Sequence, residues 1–201
     1  MNENRPARLA LYGGAFDPVH CAHLRVAGYA LEQAQLDRVI FLPAAQPPLK
    51  AHAPLADDAA RLKILSLAIA GEARFELDAY EIQKGGLSYT IDTVRHFNTC
   101  DADAALFWII GGDQFEQLDR WHRIDELADR VTFLVLARPG SDLNASKLIP
   151  HLRYQVIEAP LMGESSSEIR ECCRQGRSLE GLVPGAVQAF ISEQELYRNL
   201  Q

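Results

Sequence analysis

Two histidines three residues apart, His20 and His23, stand directly after a glycine pair and the triplet Phe16-Asp17-Pro18. Imidazoles at i and i+3 share one helical face, so both can donate to the same oxyanion. The run Gly13-Gly14-Ala15-Phe16-Asp17-Pro18-Val19-His20-Cys21-Ala22-His23 follows the apolar stretch Leu9-Ala10-Leu11-Tyr12 and precedes a helical pattern, which reads as strand, glycine turn and helix. Glycines let the backbone approach a ligand, and the unpaired amides of a first helical turn favour phosphate. The chemistry implied is the handling of a nucleotide phosphate without a covalent intermediate. The plainer alternative makes Asp17-Pro18 a turn and both histidines surface residues.

A second cluster, Gly163-Glu164-Ser165-Ser166-Ser167-Glu168-Ile169-Arg170, opens a helix late in the chain. Taken alone it reads as a capped helix start, with Ser165 and Glu168 in a capping box and Arg170 on the surface; paired with the histidine segment it favours phosphate binding.

The elements that must position these residues follow from hydrophobic patterning. Leu9–Tyr12, Val39–Leu42, Ala104–Ile110, Val131–Leu136 and Tyr154–Ile157 are short apolar runs of the kind found in parallel strands buried on both faces. Helical stretches alternate with them at about 23–35, 58–70, 89–98 and 124–128, and two more, 167–175 and 184–195, close the chain, the last with Pro184 at its first turn. The fold class expected is α/β: one Rossmann-like, doubly wound parallel sheet in a single domain over residues 1–201, with a helical C-terminal end. Ligands of such folds sit beyond the carboxyl ends of the strands. Gly13-Gly14, the segment from Pro43 to Lys50, Gly111-Gly112-Asp113 and Arg138-Pro139-Gly140 each follow a strand. The dinucleotide fingerprint G-x-G-x-x-G and the phosphate loop G-x-x-x-x-G-K-[ST] are both absent, which weighs against a dehydrogenase and a P-loop NTPase.

A net charge of -7 argues against a general nucleic-acid binder, so any phosphate site must be locally positive. The polar start Met1–Pro6 and the lack of an apolar run of spanning length predict a cytoplasmic protein that meets no membrane. Cys21, Cys100, Cys172 and Cys173 lack metal-ligand spacing and are expected as reduced thiols. No carboxylate cluster suggests a metal cage, so no protein metal site is assigned and Mg2+ is expected only as a companion of a bound nucleotide phosphate.

The histidine segment resembles the signature of the nucleotidylyltransferase superfamily, a strand ending in G-G-x-F-D-P-x-H followed by x-G-H, with Ala22 in place of the second motif's glycine. The late cluster resembles that superfamily's I-S-S-T-x-I-R motif, with Glu164 for isoleucine and Ser167 for threonine. Three further segments resemble those of bacterial nicotinate-nucleotide adenylyltransferases. Leu87-Ser88-Tyr89-Thr90 is similar to P-S-Y-T, Gly111-Gly112-Asp113-Gln114-Phe115 to G-x-D-x-[FL], and Pro47-Pro48-Leu49-Lys50 to P-P-H-K. Trp121 falls at the interval of a tryptophan that stacks on a pyridine ring.

The resemblance implies adenylyl transfer from ATP to nicotinate mononucleotide, with pyrophosphate as the second product, by a monomer or homodimer. It implies His20 and His23 as catalytic residues. Gly13, Gly14, Ala15, Phe16, Lys50, Ser166, Ser167 and Arg170 would bind ATP. Ser88, Tyr89, Thr90, Gly111, Asp113 and Trp121 would bind the mononucleotide. Residue by residue, plainer roles stay open: Trp121 as a half-buried core residue, Asp113 with Glu116 as a helix cap, the Ser88-Tyr89-Thr90 hydroxyls as a helix start, and Lys50 and His52 as solvated groups. His96, His122 and His151 are given no role. Phosphopantetheine as acceptor, and a nucleotide-sensing module without turnover, are the alternative functions.

Overall fold

A computed structural model describes residues 5–49, 52–136 and 149–198. Six parallel strands form one sheet in the order β3-β2-β1-β4-β5-β6, where β1 is Arg8–Gly14, β2 Arg38–Pro43, β3 Phe75–Leu77, β4 Ala105–Gly111, β5 Thr132–Leu136 and β6 Tyr154–Ile157. The chain starts in the middle, builds outward through β2 and β3, and returns to the other side of β1 with β4. The order therefore reverses between β1 and β4, which is where a doubly wound sheet opens a ligand crevice.

Alternation of side chains along each strand supplies both faces with core. Ala10, Val39, Phe41, Phe107, Ile109 and Leu134 face one cluster, packed against α1 (Cys21–Gln33), α2 (Asp58–Ile69), α7 (Ser166–Arg174) and α8 (Gly185–Glu193). Leu9, Leu11, Ile40, Leu42, Trp108, Ile110, Phe133 and Val135 face the other, packed against α4 (Thr90–Cys100) and α6 (Ile124–Arg130). Two short helices, α3 (Tyr80–Lys84) and α5 (Gly112–Phe115), and a 3-10 turn at Leu118–Arg120 complete the elements among the described residues. The helical C-terminal end is thus part of the sheet's cover on the α1 side. No helix among the described residues is long and apolar enough to cross a membrane.

Several expectations shift in detail. Gly13 and Gly14 are the last residues of β1, in register with Leu42 and Pro43, so the turn begins at Ala15 and Phe16, the latter at a φ of 44°. Helix α1 starts at Cys21 with His20 as its N-cap, and Pro184 caps α8 from outside its first turn. Strand β3 and helix α3 have no counterpart in the hydrophobic pattern. Four cysteines are free thiols.

Candidate functional site

The histidine turn is held from outside by side chains remote in sequence. Asp17, 5% exposed, accepts the amides of Leu55 at 2.7 Å and Ala56 at 3.1 Å and the Tyr197 hydroxyl at 2.9 Å. Its carbonyl accepts Arg170 Nη1 at 2.7 Å, and the Pro18 carbonyl accepts the Ser166 hydroxyl at 2.9 Å. Arg61, fully buried in α2, donates to the Ala15 carbonyl at 2.9 Å and to Asp58 at 2.5 Å. The loop between β1 and α1 is therefore fixed on three sides before any ligand arrives.

The two imidazoles stack, with centroids 3.7 Å apart and planes at 30°. The His20 amide donates to His23 Nδ1 at 3.2 Å, which places the ring proton of neutral His23 on Nε2. Burial pushes His20 down to about 4, against the opposing pull of Glu164 and with the help of Arg25, so this ring is neutral at pH 7. Its Nδ1 is buried with no partner among the described residues. Arg25 pairs with Glu164 beside this ring. The Cys21 amide donates to the Leu182 carbonyl at 2.9 Å, so that first-turn amide is already used. Ala22 lies on the buried stripe Ala22, Val26 and Ala30 of α1.

A cavity of about 440 Å3 opens at the switch point between β1 and β4. Gly13, Gly14 and Ala15 line one side, Pro47, Pro48 and Leu49 of the loop after β2 another, and Ser88, Tyr89 and Thr90 a third. Trp121 and His122 supply aromatic wall, with Trp108 beneath them. Gly13 is required here: a Cβ on it would come within 2.6 Å of Trp108 Cζ2. Trp121 packs edge-on against Trp108 and Phe133, with centroids 6.5 and 6.3 Å away, while its Nε1 has no partner among the described residues. It is both half-buried core and cavity wall. His122, given no role from sequence, packs on Tyr89 at 4.5 Å.

The N-terminus of α4 has no side-chain cap at Tyr89. Its Asp92 and Thr93 amides turn back to the Tyr89 carbonyl, leaving the Thr90 and Ile91 amides without an intrahelical acceptor. Such a terminus suits a carboxylate.

Other expected site residues stand apart from this cavity. His20, His23, Ser166, Ser167 and Arg170 gather around the Asp17–Pro18 turn, where Arg170 Nη2 also donates to the Ser167 hydroxyl at 3.1 Å. The capping reading of Ser165 holds, its oxygen accepting the Glu168 amide at 3.2 Å. Gly111 and Asp113 lie at the β4–α5 junction; neither lines the cavity, though Gln114 does. Lys50 and Arg138-Pro139-Gly140 lie outside the described residues. Among the described residues no three His, Cys, Asp or Glu side chains gather as a metal cage.

Against known proteins, a family model described as cytidylyltransferase-like matches residues 11–172. A protein of Opitutus terrae named "Probable nicotinate-nucleotide adenylyltransferase" is 41% identical over 194 residues, covering 96% of this chain and 100% of that one. One of the same name from Geobacillus kaustophilus is 40% identical over 192 residues, covering 94% and 86%. Among solved structures, Plasmodium falciparum nicotinic acid mononucleotide adenylyltransferase complexed with NaAD superposes with a TM-score of 0.81 at 18% identity, covering 97% of this chain and 100% of that one. That structural likeness bears on the fold. Fold, switch-point cavity and family match together define a nucleotidyltransferase of the cytidylyltransferase-like class. Within that class the chain belongs to the nicotinate-nucleotide adenylyltransferase family.

Proposed function

We propose that this protein transfers the adenylyl group of ATP to nicotinate mononucleotide, giving nicotinate adenine dinucleotide and pyrophosphate, a step of NAD biosynthesis. The observation that carries this reading is the switch-point cavity, which joins the glycine end of β1 to an aromatic wall and an uncapped helix start. We place the pyridine ring against the aromatic wall of Trp121 and His122, with its carboxylate toward the amides at the start of α4. Phosphopantetheine offers no ring for that wall.

The acceptor's phosphate is already an anionic nucleophile, so no side chain has to be activated. One phosphate oxygen attacks the α-phosphorus of ATP as the bond to the bridging oxygen breaks, and the electron pair leaves with pyrophosphate. Catalysis then consists of alignment and charge stabilisation. We assign His23, whose Nε2 carries the proton, and His20 to the α- and β-phosphate oxygens, and the amides from Gly13 to Phe16 to the same region. Ser166 and Arg170 brace the turn that carries the histidines. With Ser167 we assign the remaining donors of Arg170 to the β- and γ-oxygens, and Lys50 to closing over the phosphates. Mg2+ is taken as part of the ATP substrate, where it neutralises phosphate charge while keeping several waters. The reducing cytoplasm suits four free thiols.

The test is incubation of the protein with ATP, Mg2+ and nicotinate mononucleotide, followed by mass spectrometry of the small molecules and of the protein. The dinucleotide and an unmodified chain support direct displacement. A stable adenylyl adduct on the protein contradicts it.

A further inference from the structure

The most deeply buried acid at the cavity is one the scheme above does not use. Glu81, on the short helix α3, is 5% exposed and lines the cavity. The hydroxyl of Thr93, itself 1% exposed, donates to Glu81 Oε1 at 2.7 Å. Ser88 also acts on this carboxyl, drawing it toward the charged form. The Ser88 oxygen meanwhile accepts the Ala45 amide at 3.0 Å, and the Ser88 amide donates to the Gln46 carbonyl at 2.9 Å, beside the parallel bridge between Gln46 and Leu87. A serine hydroxyl has one proton. The Ser88 oxygen already accepts the Ala45 amide, so its single proton is the donor left, and Glu81 is a buried acceptor on the same cavity wall.

Taking the cavity as the mononucleotide pocket of the reading above, we propose that Glu81 is its positioning residue. By accepting the hydroxyls of Ser88 and Thr93, it fixes Ser88 as the clamp between the loop after β2 and the start of α4. The acceptor's carboxylate is then met by Thr90 and the first-turn amides, and Ser88 acts on substrate only through the wall it holds. Lys84, paired with Asp92 at 3.0 Å, closes the same corner and offsets the buried acid. Burial pushes the Glu81 carboxyl up, while both hydroxyls and Lys84 pull it back toward the charged form.

The experiment is steady-state kinetics of wild type, Glu81→Ala, Glu81→Gln, Ser88→Ala and the Glu81→Ala/Ser88→Ala double variant, with ATP and nicotinate mononucleotide each varied. Glu81→Ala is expected to raise KM for the mononucleotide by about tenfold or more, with kcat and KM for ATP within about threefold. Glu81→Gln keeps one acceptor oxygen and falls between, and it carries the test if Glu81→Ala does not fold. The double variant is no worse than Glu81→Ala, because Ser88 works through the acid. Equal rises in both KM values, fold-changes that multiply, or wild-type kinetics in the Glu81 variants overturn the inference alone. Absence of dinucleotide from the wild-type protein overturns the functional reading and this inference with it.

Discussion

The His20 and His23 rings lie nearly face to face with centroids 3.7 Å apart, and the backbone amide of one residue is bonded to the ring of the other. One ring cannot turn without disturbing its neighbour, and that rigidity suits the proposed contact of both with phosphate oxygens. Removing either donor is expected to cost about 3 kcal/mol of transition-state stabilisation, roughly two orders of magnitude in kcat. His20→Asn and His23→Gln retain polar groups at the helix start, so melting temperatures should stay near wild type. Wild-type kcat in either folded variant contradicts the assignment.

Buried and held near 4, His20 is neutral in the folded protein where an unfolded histidine, at 6.5, is already charging. Between those values the unfolded state binds the extra proton. Stability is therefore unaffected above pH 6.5 and falls as pH drops toward 4, by up to about 3 kcal/mol. Urea unfolding at pH values of about 7, 5.5 and 4.5 should show a steeper loss for wild type than for His20→Asn. Parallel losses contradict the burial argument.

Gly13 and Trp108 leave no room for a methyl group, since a Cβ would lie 2.6 Å from a ring carbon that is itself packed in the core. Gly13→Ala should destabilise the fold by about 1 to 3 kcal/mol and depress kcat/KM by displacing the cavity floor. Thermal unfolding and kinetics read both effects, and a variant with wild-type melting and activity contradicts the geometry.

His122 is exposed and rests on Tyr89 in the cavity wall, so truncating it removes little core. His122→Ala should raise KM for the mononucleotide about tenfold while KM for ATP changes less than about threefold. Trp121→Ala should show the same split with an added loss of stability, because Trp121 also packs on Trp108 and Phe133. A rise in KM for ATP alone would place the aromatic wall at the wrong substrate.

The sheet's longer strands were legible because residues buried on both faces leave unbroken apolar runs, as at Phe107–Ile110 and Phe133–Val135. Strand β3 was not: three half-buried residues carry no period, and only pairing with β2 defines them. The histidine turn was legible as a motif, yet its brace was not. Asp17 is tied to Leu55, Ala56, Arg170 and Tyr197, contacts spanning up to 180 residues of chain. Glu81 and Arg61 lie in no motif, since burial of a charge beside hydroxyls or carbonyls is a tertiary fact. His122 was given no role because Tyr89, its partner, lies in a distant segment.

The most direct measurement is pyrophosphate release from ATP with matched concentrations of nicotinate mononucleotide, its amide and phosphopantetheine. The uncapped start of α4 presents donors, which a carboxylate satisfies and an amide NH2 leaves unpaired at about 1 to 3 kcal/mol. The expected result is release with the acid at a kcat/KM at least about tenfold above the amide, and none with phosphopantetheine above background. Release with the acid no faster than without any acceptor would contradict the account.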